Sequence, residues 1–300
     1  MSPIVSLDPR FAGCINGSER VDLLWSGARW AEGPAYFPAH RTLLFSDIPN
    51  DRVMRYDELT GGCVPFKEGL GHYDNGHSVD RQGRLLACEH GTRSVTRLEP
   101  DGTRTVLADR YMGHRLNSPN DLVEGPDGTI WFTDPTYGID SDYEGFRAES
   151  EVGGSYVYRV DVAEGSVTAA ATDFVKPNGI AFSPDGAFLF VADTGVTHQA
   201  DGPRHIRRFA VQRSGHLDGG EVFATCADGV FDGFRFDCDG RLWTSAGDGV
   251  HVYDPDGTLL GKVLIPEPVA NLTFGGPRRN RLYITATTGL YHCVTRVTGA

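Results

Sequence analysis

The chain repeats one short turn-and-strand pattern six times: FPAHRTLLFSD, DRQGRLLACEH, GPDGTIWFTDP, SPDGAFLFVAD, CDGRLWTSAGD and GPRRNRLYITA. With His40, Gly83, Gly128, Gly186, Gly240 and Asn280 as the turn positions, the spacings are 43, 45, 58, 54 and 40 residues. A repeat of this size is one supersecondary unit, unable to bury its apolar face alone and obliged to stack against its neighbours. Each unit has the same inner grammar. A half-apolar strand enters the turn (Ile180-Ala181-Phe182), and a strand of β-formers leaves it (Ile130-Trp131-Phe132, Leu189-Phe190-Val191, Leu282-Tyr283-Ile284). A third, alternating strand follows (VMRYD, VTRLE, VYRVD, IRRFA, VHVYD, LYHCV), and in most units a fourth, such as Thr105-Val106-Leu107 or Glu221-Val222-Phe223. Period-2 alternation between such turns, with no long stripe at helical spacing, predicts an all-β chain. Four antiparallel strands per unit make it a six-bladed β-propeller. The last unit stops after its third strand, near residues 290–294, whereas a lone strand at residues 21–25 precedes the first. That N-terminal strand is expected to complete the last blade, closing the circle and hiding an unpaired edge. Residues 1–300 then read as a single domain.

Charge and cysteines narrow the partners. Against 28 Lys and Arg stand 40 Asp and Glu, a formal net charge of −12, and no basic stripe is present. Nucleic acid and anionic membrane are therefore poor partners. No apolar run approaches the roughly 18 residues of a membrane-spanning helix, and MSPIVSLDPRF lacks the basic start and apolar core of a signal peptide. The six cysteines are scattered without any CxxC pair, as buried thiols of a reducing compartment would be. The expectation is a cytoplasmic protein with no obligate protein partner, in which the sequons at Asn16 and Asn271 carry no weight.

Stepping back eight residues from each turn position gives Glu32, Asn75, Asn120, Asn178, Asp232 and Leu272, and Leu272 has a polar neighbour in Asn271. In a propeller the first strand of each blade lines the axis, so residues at one depth form a ring around the channel. Buried carboxylates without compensation would cost several kcal/mol. Their donors are all hard oxygens, which favours Ca²⁺, or Mg²⁺ and Mn²⁺, over structural zinc. The competing reading is a collar of turn-capping Asn and Asp residues around water. A second acidic set, Asp47, Glu89, Asp134 and Asp193, closes the second strands and is read as strand-end hydrogen bonding. His77, two residues beyond Asn75, reads either as a substrate contact or as a satisfied polar residue at the channel mouth. Tyr137 and Arg115 lie on loops flanking the third blade, within reach of that mouth, although a surface position is the default for Arg115. The residues of a serine-hydrolase elbow, an HExxH zinc site, a Walker loop and a GxGxxG turn are all missing.

The strings WAEGPAY, SPNDLVEGPDGTIWFTDPTYG, KPNGIAFSPDG, FDGFRFDCDGRLW and NLTFGG resemble the regucalcin/gluconolactonase family, most closely its bacterial sugar-lactonase branch. The resemblance runs over nearly the whole chain. It implies one catalytic divalent metal, usually Ca²⁺ with Mg²⁺, Mn²⁺ or Zn²⁺ as alternatives, and hydrolysis of aldonolactones such as gluconolactone or a pentonolactone. It places metal ligands on Glu32, Asn178 and Asp232, with Asp232 also the proton acceptor and donor, and a substrate contact or further ligand on Asn120. Where animal-type relatives carry an Arg, this chain has Ser118, and their acidic substrate contact has no clear counterpart beyond Thr136-Tyr137-Gly138. Asn75, His77, Tyr137 and Arg115 complete the expected partners of a polyhydroxylated lactone. Two rivals share the same ring: a metal-dependent phosphotriesterase or arylesterase, and a non-catalytic Ca²⁺-binding propeller.

Overall fold

The computed structural model describes residues 2–15 and 20–300, so the sequon at Asn16 lies outside the described residues. Six antiparallel sheets are arranged around a central axis. Their inner strands are Ala31–Phe37, Asp74–Val79, Leu122–Glu124, Pro177–Phe182, Phe234–Phe236 and Val269–Gly275, each an edge of its own sheet. Asp22–Ser26 pairs antiparallel with Gly289–Val294 and supplies the outermost strand of the sixth blade, the closure expected from the repeat count. The fifth blade carries an additional strand, Ile4–Ser6, paired with Leu259–Leu264. That strand was not foreseen, because three residues are too few to show a period. The turn that follows, Pro9–Gly13, is capped by Asp8 and presses Phe11, 1% exposed, onto the blade.

Neighbouring blades are joined by aromatic side chains. Trp131 meets Phe182 edge-on at 5.7 Å, Phe190 meets Phe236 at 4.9 Å, Trp243 meets Phe274 at 5.6 Å, and Tyr36 stacks on Tyr283 at 5.6 Å. Each contact bridges two consecutive sheets, so burial of these rings opposes the separation of blades. The acidic residues closing the second strands do hold the backbone. Asp47 accepts from the main-chain N–H of Arg29 (2.9 Å), Asp134 from that of Asn117 (2.8 Å), and Asp193 from those of Lys176 and Gly195 (2.9 and 3.1 Å). Glu89 instead takes a bidentate contact from Arg104 at 2.8 and 2.6 Å.

Around the axis the inner strands approach one another backbone to backbone. The N–H of Gly76 donates to Asn120 O (2.8 Å), that of Gly179 to Asp232 O (3.1 Å), and that of Gly233 to Ala270 O (2.8 Å). A Cβ at Gly179 would lie well inside contact with Asp232 O, and one at Gly33 would do the same with Asn75 O. These glycines each follow a ring residue, and their missing side chains let the ring close. Replacing Gly179 with Ala should therefore destabilise the folded chain by about 2–3 kcal/mol through overpacking, lowering Tm by several degrees. Thermal unfolding followed by circular dichroism checks this; a Tm indistinguishable from the parent's would mean the neck can widen freely.

Candidate active site and metal centre

Glu32, Asn75 and Asn178 sit near the start of their inner strands, and Asn120 and Asp232 just ahead of theirs. All five converge on one end of the axis, here the upper mouth. A sixth member joins them. Asn271 donates through Nδ2 to Glu32 Oε2 at 3.0 Å, and the N–H of Gly33 donates to the same oxygen. The sixth position therefore falls on Asn271, not Leu272. The last turn, residues 276–280, is as long as those of the second, third and fifth blades, but the counterpart of Gly83, Gly128 and Gly240 in it is Arg279 (φ 52°), which stands eight residues after Asn271 and one before Asn280.

Burial and mutual repulsion dominate the electrostatics. Burial raises the Glu32 carboxyl most, the nearby Asp121 carboxylate raises it further, and the hydrogen bonds from Gly33 and Asn271 offset part of this. Asp232 is raised well above its ordinary range by burial, then by the charges of Glu32, Asp121 and Glu144, with the Asn178 amide acting the other way. Among the described residues neither Glu32 nor Asp232 has a Lys or Arg ion-pair partner. Asn178 Oδ1 is buried and accepts no hydrogen bond. Two crowded carboxylates and an orphaned amide oxygen fit a hard divalent cation, which would replace the missing positive charge and occupy the idle lone pairs. Glu32, Asn178 and Asp232 could hold it, with Asn120, whose amide makes no hydrogen bond among the described residues, as a fourth oxygen.

Two other groupings have donors close together, His72–Asp74–Glu89 and Asp228–Asp248–His251. Protein cations already serve both. Lys67 lies 2.7 Å from Asp74 and Arg104 grips Glu89, while Lys262 bridges Asp228 (3.1 Å) and Asp248 (2.7 Å).

The remaining residues singled out from sequence divide between locations. Asn75 Nδ2 donates to His90 Nε2 at 3.0 Å, and His90 Nδ1 then donates to Glu144 O at 3.0 Å, a tautomer assigned from this network. That arrangement leaves Asn75 Oδ1 as the free end of the amide. The Tyr137 hydroxyl bonds Thr194 (2.7 Å) and Thr197 (2.9 Å), and its pKa is pushed up to about 12, chiefly by burial. Lys176 lies 4.9 Å over the Tyr137 ring and 2.9 Å from Asp140, which also meets His198 at 3.0 Å. His77 is fully buried further down the channel, its Nδ1 2.9 Å from Gly33 O; a register shift between Asp74 and His77 breaks simple alternation there. Arg115 lies in a two-residue strand, with its N–H on Glu151 (2.9 Å) and its guanidinium on Thr92 O (3.3 Å), and makes no contact with a ring residue.

Three residues of the upper mouth escaped the sequence reading: Glu144, His90 and Lys176. Glu144 arrives on the loop after Tyr137–Asp140 and is pushed up to about 7 by burial and then by Asp140. None of the three occupies a position the repeat marks out: His90 merely ends the second repeat string DRQGRLLACEH, and Lys176 stands two residues before Asn178 in KPNG. Ser118 is fully buried, donates to Pro135 O at 2.7 Å and accepts from the N–H of Gly138 at 2.9 Å, so an Arg has no room there.

The model of the SMP-30/Gluconolactonase/LRE-like region matches residues 30–288. The chain belongs to this family. It is 29% identical to a gluconolactonase of Zymomonas mobilis over 98% of its own length and 85% of that protein's. It is 29% identical to the pentonolactonase XacC of Haloferax volcanii, over 88% of this chain and 84% of the relative. Among solved structures, the gluconolactonase XC5397 of Xanthomonas campestris superposes with a TM-score of 0.91 at 39% identity, over 98% of this chain and 95% of that one.

A pH dependence follows for the metal-free protein. The Glu32 carboxyl, ordinarily near 4.5, is pushed up to about 8, so the folded chain holds a proton that the unfolded chain has lost between those values. Stability of the metal-free protein therefore falls as pH rises through that window. Thermal unfolding in chelator should give a higher Tm at about pH 6 than at about pH 8, and added Ca²⁺ should reverse the difference. A metal-free Tm that rises with pH over this interval would mean the ring carboxylates are ionised and satisfied without metal.

Proposed function

We propose that the upper mouth hydrolyses sugar lactones to aldonic acids with the help of one divalent metal, Ca²⁺ first among the candidates. The observation that carries this reading is the convergence of Glu32, Asn178 and Asp232 on a single uncompensated oxygen cluster, in a chain whose relatives include gluconolactonases and a pentonolactonase. When bound, the metal supplies Lewis-acid polarisation of the lactone carbonyl and charge for the developing oxyanion.

The chain's own residues have separate tasks. Glu32 and Asn178 fix the oxygens of the ring, Glu32 being held in place by Gly33 and Asn271. Asp232 is anchored by its main-chain N–H, which donates to Ser245 Oγ at 2.8 Å, leaving the carboxylate to face the cluster. There it accepts a proton from the attacking water and returns it to the ring oxygen as the C–O bond breaks. Asn120, Asn75 Oδ1 and Glu144 offer fixed partners for sugar hydroxyls, and Tyr137 and Lys176 line the approach. A site built from such groups selects against substrates that leave them unpaired. We place the protein in the cytoplasm, in keeping with six free cysteines; among the described residues no helix is long and apolar enough to cross a membrane.

Two measurements test the reading. Glucono-, xylono- and arabinonolactone should each give a higher kcat/KM than a long-chain acyl lactone or a phosphotriester, and chelator should abolish the turnover. If the acyl lactone or the phosphotriester proves the best substrate, the sugar assignment fails. Asp232→Asn keeps an oxygen ligand of the same size but loses the proton acceptor, so kcat should fall by about 10²–10⁴ in protein whose Ca²⁺ content is confirmed by calorimetry. Near-parental turnover in that loaded variant would remove Asp232 from the chemistry.

A further inference from the structure

The inner strands that begin at the upper mouth end at a second opening, where a cavity of about 610 Å³ lies between their last residues. Phe182, Phe236 and Phe274 form its apolar wall, and Arg81, Arg235 and Arg279 share its lining. The volume is that of an ordinary small-molecule site. Three guanidinium groups at one opening stand out in a chain of net charge −12.

Their protein partners occupy few of their donors. Arg81 spends a donor on Gly125 O (2.7 Å), Arg235 one on Phe234 O (2.7 Å), and Arg279 one on Ala300 O. A guanidinium carries five N–H groups, so each keeps several in reserve. Among the described residues, Arg81 has no carboxylate in ion-pair range, Arg279 has the main-chain oxygen of Ala300, the last residue, and Arg235 has only Asp121 Oδ2 at 3.8 Å, beyond hydrogen-bond length. Glu124, the one side-chain carboxylate on the wall, accepts the main-chain N–H of Arg81 at 2.7 Å. His77, which also lines the cavity, adds no positive charge, since burial lowers its pKa.

We propose that this lower cavity is a second binding site, distinct from the metal ring, for a small aromatic carboxylate. Its head group is held by Arg235 and the rim arginines Arg81 and Arg279, and its ring rests on Phe182, Phe236 and Phe274. The planar fork of a guanidinium matches a carboxylate in two parallel hydrogen bonds, and the phenyl wall excludes the water that would weaken them. The proposal does not depend on the reaction assigned to the upper mouth.

Phenylacetate is a suitable probe, with benzyl alcohol as its uncharged counterpart, titrated calorimetrically into the full chain in chelator so that no bound metal can capture the carboxylate. The expected result is saturable 1:1 binding of phenylacetate that weakens with added salt. Benzyl alcohol should bind about tenfold more weakly or worse. Arg235→Met and, independently, Arg81→Met and Arg279→Met on the exposed rim should each weaken phenylacetate binding. The rim variants keep the test valid should Arg235→Met fail to fold. Absence of saturable binding at millimolar phenylacetate, or binding indifferent to both rim substitutions, overturns the proposal.

Discussion

Everything at the axis depends on how closely the inner strands pack. Main-chain hydrogen bonds run directly from one blade to the next at the neck, from Gly76 to Asn120, from Gly179 to Asp232 and from Gly233 to Ala270. That approach is open only to residues without a Cβ. The vacated space is used in two blades: a side chain at Gly76 would collide with Asp121, and one at Gly233 with the carboxamide of Asn271. Tight closure forces the residue before each glycine onto the axis, so Glu32 and Asp232 repel each other without any means of retreat. The fold thereby creates a local excess of negative charge that a divalent cation would resolve. The cost of crowding and the capacity to hold a metal are one property.

Much of this was legible in the residues because it recurs. Six turn strings, a closing strand near residues 21–25 and a polar residue eight positions before five of the six turn positions are periodic signals, and periodicity survives the noise of individual substitutions. The misses have physical causes of the same kind. Asn271 was missed because the residue of the last turn equivalent to Gly83, Gly128 and Gly240 is Arg279 and not Asn280, and Ile4–Ser6 is too short to carry a pattern. Glu144, His90 and Lys176 belong to loops and strand ends that differ from blade to blade, and their meeting at the upper mouth is a product of the closed ring. His77 shows the limit of reading alternation through a bulge: its side chain lies down the channel and lines the lower cavity.

The two ends of the axis have opposite electrostatic character. Carboxylates gather at the upper mouth, while guanidinium groups line the lower one, and Arg235 spans the difference by lowering the proton affinity of both Asp121 and Glu32. By charge alone, one end favours cations and the other anions.

The central claim is that the neck assembles its oxygen ring into the metal centre. Anomalous diffraction from crystals soaked in Mn²⁺, collected near the manganese edge, tests it most directly. The account predicts one strong peak within bonding distance of oxygens from Glu32, Asn178 and Asp232. A strong peak at His72–Asp74–Glu89 or Asp228–Asp248–His251, with none on the axis, would contradict it.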